Sequence, residues 1–208
     1  MAKPTAKKPL YSVHPGVAMV QATIAKLKEK TGRNLEEWIE LVNKSGPPTE
    51  NERREWLKHH HNLGTNYSLW IAEQSVGKGN EDTDPDEYLK AAYRYVEEMY
   101  SGGKEGLKPI YEHLLRLGLG IGKDVKACPC KTIVPLYRNH VFAQIKPSTR
   151  TRVDFGFALG ATRGKGRLVE TEGFAKKDRI THCIAISSLE EIDGEVKRWL
   201  KTAYELDG

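Results

Sequence analysis

Apolar residues recur every three or four positions from Pro15 to about Leu119 and then alternate one by one after about Thr132. This change of period constrains the fold more than any other feature of the chain. A period of about 3.6 residues buries one stripe of a helix, and a period of about 2 buries one face of a strand, so helices must come first and a sheet later.

The helical half divides at its own punctuation. Val17, Val20, Ile24 and Leu27 share a face ahead of Gly32, which predicts one helix from Pro15 to that glycine. Asn34 with Glu37 has the spacing of a capping box before the stripe Leu35, Trp38, Ile39 and Val42, and Ser45-Gly46-Pro47-Pro48 ends that helix. Thr49 with Glu52 repeats the signal before Trp56 and Leu57, with a stop at Asn62-Leu63-Gly64, and Thr65 reads as the cap of a fourth helix carrying Tyr67, Trp70 and Ile71. The run GKGNEDTDPD from Gly77 has no period and reads as a linker. Beyond it, Asp84-Pro85 opens a helix with Tyr88, Ala92, Tyr95, Val96 and Met99 inward, and a further helix is expected from about Lys108 to Leu119.

Strands are expected over residues 132–138, 141–146, 151–159 and 180–187, which are rich in β-branched and aromatic side chains and bounded by turn residues. In the third, Val153, Phe155, Phe157 and Leu159 point one way and Arg152, Asp154, Gly156 and Ala158 the other. The short connections favour antiparallel pairing. Ser188 with Glu191 reads as the start of a last helix with Leu189, Ile192, Val196, Trp199, Leu200 and Ala203 on its apolar side. The expected fold class is α+β: a small all-helical N-terminal domain, then an antiparallel sheet domain with helices on one face. The boundaries expected are a disordered basic arm at 1–10, a helical domain at 11–76, a linker at 77–85 and an α+β domain at 86–208.

Several classes of function are disfavoured by what the chain lacks. No apolar run is long enough to cross a bilayer, and MAKPTAKKPL has no secretory core, so a cytoplasmic protein without a membrane partner is expected. Cys128, Cys130 and Cys183 are too few and unpaired for a disulfide framework. As metal ligands they fail on direction, because His182 and Cys183 are neighbours on a strand and face opposite sides; no metal and no cofactor is expected. The run His59-His60-His61 places neighbours about 100° apart on a helix, which does not make a site. Gly118, Gly120 and Gly122 follow a helix rather than a strand, and Gly160 to Arg167 lacks the phosphate-loop spacing. No nucleophile has a recognisable base, so catalysis is not expected, although Lys131, Tyr137 and Arg138 could serve an enzyme acting on a small anion. The helix–turn–helix between Thr49 and Ser75 has no Lys or Arg from residue 65 to 76 with which to neutralise phosphates, and packing accounts for it better.

Charge is the feature that points to a partner. The chain carries a net +5, and the segment from Lys123 to His182 alone holds 13 Lys and Arg against 5 Asp and Glu. Lys131, Arg138, Lys146 and Arg152 fall within or beside strands, whose geometry fixes their directions, and with Tyr137 and Arg150 they are the candidate ligand-binding residues for an anionic small molecule or nucleic acid. A solvated sheet face, with Arg152 and Asp154 neutralising each other, is the competing account. His182 is expected to share a face with Ile180, Ile184 and Ile186 as a satisfied core histidine. A protein partner docked through the helical domain is the alternative function.

Residues 11 to 76, with YSVHPGVAMVQATIAKLKEKTGRNLEEWIELV and TENERREWLKHHHNLGTNYSLWIAE, resemble the helical family called domain of unknown function 4287. The later half, with CPCKTIVPLYRNHVFAQIKPSTRTRVDFGFALG and DRITHCIAISSLEEIDGEVKRWLKTAY, resembles domain of unknown function 5655. The resemblance implies a bacterial origin and the two-domain layout, and neither family brings an assigned activity. The second is similar to domains found beside restriction-type nuclease modules and in proteins labelled predicted transport proteins, which raises nucleic acid as a partner by association.

Overall fold

A computed structural model describes residues 9–171 and 178–208. All but the last two residues of the expected basic arm lie outside the described residues. Internal contacts divide the chain into one unit of Val13–Ala91 and another of Ala92–Gly208 with the residues before Val13, the division falling inside the helix Pro85–Met99.

The first unit is helical: α1 (Pro15–Ala25), α2 (Leu27–Thr31), α3 (Leu35–Ser45), α4 (Glu50–His61), α5 (Thr65–Ser75) and the start of α6 (Pro85–Met99). The single helix expected up to Gly32 is broken at Lys26, whose φ of −90° and ψ of 0° leave the helical region, and Gly32 then ends α2 at φ 81°. Both capping boxes form, Asn34 with Glu37 and Thr49 with Glu52, each satisfying otherwise unpaired amides. The cap expected at Thr65 is corrected: Gly64 occupies that position and Thr65 is already helical. Leu27, Trp38, Val42, Leu57, Leu63, Ile71 and Ala72 form the core, and the Trp38 indole donates to Thr31 Oγ1 at 2.8 Å. The Arg53 guanidinium ties α4 to its surroundings, donating to Pro47 O, Asn43 Oδ1 and the Ser75 carbonyl and hydroxyl.

The second unit is a six-stranded antiparallel sheet with α7 (Lys108–Leu119) and α8 (Gly194–Leu206). Its strands are β1 (Lys126–Ala127), β2 (Val134–Tyr137), β3 (Val141–Pro147), β4 (Val153–Phe157), β5 (Val169–Glu170) and β6 (His182–Ile186), in spatial order β1-β2-β3-β4-β6-β5. Register places Leu136 beside Ala143, Ile145 beside Phe155, and Phe155 beside Ile184, so one face carries a continuous apolar layer. Gly118 of α7 comes so close to the Leu136 side chain that no Cβ fits between them. The β2–β3 register skips Phe142, an extra residue in the ladder, and this bulge accompanies a buried Phe142 ring that meets Tyr204 of α8 edge-on at 5.6 Å.

Two expectations in this unit need correction. Ser188 does not cap the last helix; residues Leu189–Glu191 form a short 3-10 turn, and the Asp193 carboxylate caps α8 by accepting from the Glu195 and Val196 amides. Ile180 does not share the core face with His182. It precedes β6 and lies over Gly156 on the opposite face, where a Cβ on that glycine would come within 2.6 Å of Ile180 Cγ2. No helix among the described residues is long and apolar enough to cross a membrane.

Candidate anion-binding surface

The face of the sheet away from the apolar layer carries the rows Gln144–Gly156–Cys183 and Lys146–Asp154–Ala185. Alternation puts Tyr137 on this face as well, at the end of β2 beside Lys126. Its phenol is pushed up to about 12 by burial, reinforced by the Cys128 and Cys130 thiols. Burial likewise pushes the Cys128 thiol up to about 12, which keeps it protonated at neutral pH.

The six candidate residues do not gather at one point. Lys131 lies in the tight turn between β1 and β2, closed by the Cys130 amide on Ile133 O at 2.8 Å. Lys146 is in β3, and Arg150 and Arg152 belong to the β3–β4 connection. These four share one end of the sheet, because β2 begins, β3 finishes and β4 begins there. Lys104 reaches the same end and donates to Pro147 O at 2.8 Å. Arg138 and Tyr137 are at the other end, separated from Lys146 by the length of β3, about 17 Å at the usual strand rise.

Ion pairing separates the cations further. Arg138 donates to Asp124 Oδ2 at 2.9 Å and to Tyr204 O at 3.0 Å, with its guanidinium 4.3 Å from the centre of the Tyr204 ring. That arginine holds α8 against the loop before β1. Arg167 is engaged by Asp193 and Glu195, and Arg179 by Asp207. Arg152 pairs with Asp154 at 2.9 Å, and the same carboxylate accepts from the Ser148 hydroxyl. Lys131, Lys146 and Arg150 are exposed and form no ion pair among the described residues. Asp154 is the carboxylate paired within this group, and two others stand at the same end: Glu105, which accepts the Gly103 amide at 2.9 Å beside the Arg150 side chain, and Glu191, which accepts the Ser187 amide just past β6. Of the cations counted in the sequence, Lys176 and Lys177 lie outside the described residues.

Sequence reasoning missed Lys104 altogether, since its place after Gly102-Gly103 looks like an ordinary helix exit; only the tertiary hydrogen bond to Pro147 brings it to the cluster. It also missed that Arg138 is structural, for which Asp124 fourteen residues earlier offers no readable signal.

Comparison with known families matches residues 96–207 to a model described as Domain of unknown function (DUF5655) and residues 19–74 to one described as Domain of unknown function (DUF4287). No curated protein and no solved structure matches the chain.

Proposed function

The chain belongs to the DUF5655 family, with a DUF4287 segment before it, and because neither description carries an activity we propose from the surface itself that this is a binding protein for nucleic acid. The observation that carries the reading is that Lys131, Lys146, Arg150 and Arg152 belong to neighbouring segments at one end of the sheet, where Lys131, Lys146 and Arg150 are exposed and form no ion pair among the described residues. Of the ligands compatible with such a cluster, a polymer of phosphates suits it better than a small anion. The cations are exposed and spread over adjacent strand ends, an arrangement that tracks a phosphate backbone, whereas small anions are held in concave sites by converging donors.

Fluorescence anisotropy with single- and double-stranded oligonucleotides tests the reading at two salt concentrations. Wild-type protein is expected to bind at low salt and to weaken steeply as salt rises. The variant Lys131→Ala/Lys146→Ala/Arg150→Ala should flatten the logarithmic salt dependence on duplex by about 2 to 3, one unit for each phosphate contact removed. Absence of binding at low salt, or an unchanged slope in the variant, would overturn it.

A further inference from the structure

On α7, Tyr111, Leu115 and Leu119 recur every four positions and so share one face of the helix. That face and Tyr93 of α6 bound a common hollow. Its third wall is the stretch Leu10–Tyr11, held in place by the Ser12 amide, which donates to Ala127 O of β1 at 2.9 Å. The resulting cavity measures about 480 Å³, lies wholly within the unit that holds the sheet, and falls in the usual size range of small-molecule sites.

The aromatic part of the wall is built before anything binds. The Tyr11 and Tyr111 hydroxyls bond each other at 2.8 Å, and the Tyr111 ring stacks on Tyr100 at 4.7 Å and 30°. The Tyr93 ring meets the Tyr11 ring at 4.8 Å and 58°, which makes an aromatic corner. Two large apolar side chains stay exposed beside it, Leu10 at 46 % and Tyr93 at 49 %. Exposed apolar surface gathered around a hollow marks a place where something binds. Charge belongs to the rim: Lys108 donates to Glu97 at 2.8 Å, and Glu112 and Arg116 are exposed.

We propose that this cavity binds a flat, aromatic, largely apolar small molecule, its ring against Tyr93 and Tyr11 and its edge against Leu115 and Leu119. A protein partner would need about 800 Å² on each side for a stable complex, whereas the apolar surface here is gathered into one hollow of small-molecule size. The aromatic class follows from the corner, since two tilted rings offer a third ring both face and edge contacts. The walls share no residue with the cationic end of the sheet, so the two proposals stand or fall independently.

Naphthol and its fully hydrogenated counterpart decahydronaphthol share a carbon skeleton and a hydroxyl and differ in aromaticity, which makes them suitable probes for the full-length protein. In protein carrying ¹³C-labelled leucine methyls, the Leu10, Leu115 and Leu119 signals should shift saturably on adding naphthol. Decahydronaphthol should bind about two- to tenfold more weakly, the scale of an aromatic pair beyond its buried area. Tyr93→Ala, at an exposed position, should weaken naphthol at least about fivefold. Tyr93→Leu, which keeps apolar bulk and removes the ring, should bind both probes with the preference reduced. Leucine signals unmoved up to the solubility limit of naphthol would overturn the proposal. So would equal affinities for the two probes in the wild-type protein, or an unchanged naphthol affinity in Tyr93→Ala.

Discussion

Asp207 shows how much one side chain can organise. Its carboxylate is 2 % exposed and accepts from the Asn139 and His140 amides at 3.0 and 2.8 Å, from His140 Nδ1 at 3.1 Å and from Arg179 Nη2 at 2.7 Å. It therefore fastens the stretch after α8 to the β2–β3 hairpin. Asp207→Ala would leave two amides and a guanidinium without their acceptor and is expected to cost about 2 to 4 kcal/mol in urea denaturation. Asp207→Asn keeps one acceptor oxygen and should cost less. None of this was legible in the sequence, where an aspartate after a helix reads as solvated surface; its partners are 28 to 68 residues away. Arg138 was legible as a cation on a strand, but its engagement by Asp124 and Tyr204 was not, for the same reason of distance along the chain. Lys131, Lys146, Arg150 and Arg152 were legible as cations near strands; that they share one end of the sheet required the register.

At the scale of elements, local chemistry was readable and long-range pairing was not. The starts of α3 and α4 follow from Asn34 with Glu37 and Thr49 with Glu52, contacts that span three residues. The same pattern at Ser188 and Glu191 misled, because Ile192 leaves the helical region at ψ 66° and Glu191 accepts instead from the Ser187 amide. β1 and β5 are two residues each, too short to show alternation, and exist through pairing with β2 and β6. Asp193→Ala should therefore cost about 1 kcal/mol of stability by thermal or denaturant melting, whereas Ser188→Ala should be close to neutral. Gly118→Val, which forces α7 away from Leu136, should cost about 1 to 3 kcal/mol.

The caps also carry a pH dependence. The Asn34 amide, followed by Lys28, holds the Glu37 carboxyl below its ordinary range, and the Thr49 hydroxyl and amide do the same for Glu52. A depressed folded-state value means the contribution is complete above the unfolded carboxylate value, about 4.3, and is lost as pH falls through the lower folded value. Acid titration of the helical far-UV signal should show this loss below about pH 4.3. The Glu37→Gln/Glu52→Gln variant, which has no such carboxyls to protonate, should show a shallower decline.

Across the whole molecule, charge is divided by unit. Val13–Ala91 holds 13 Asp and Glu against 10 Lys and Arg, and the remainder holds 23 Lys and Arg against 15 Asp and Glu. The positive surplus thus belongs to the unit that holds the sheet, with Lys3, Lys7, Lys8, Lys176 and Lys177 of its cations outside the described residues. Because Lys131, Lys146 and Arg150 form no ion pair among the described residues, their triple alanine variant should melt within about 0.5 kcal/mol per site of wild type, even as its electrostatics change. Differential scanning calorimetry beside the anisotropy titration would separate a lost surface from a lost fold.

The contact between Ile180 and Gly156 has a consequence for descent. The glycine has no room for a side chain because the isoleucine already occupies the space above it, so Gly156 cannot gain a side chain unless Ile180 gives way. Among relatives, an alanine or serine at the place of Gly156 should be accompanied by a smaller residue at the place of Ile180. A lineage that enlarged one without reducing the other would have to reshape the approach to β6, leaving a record readable in an alignment of family members.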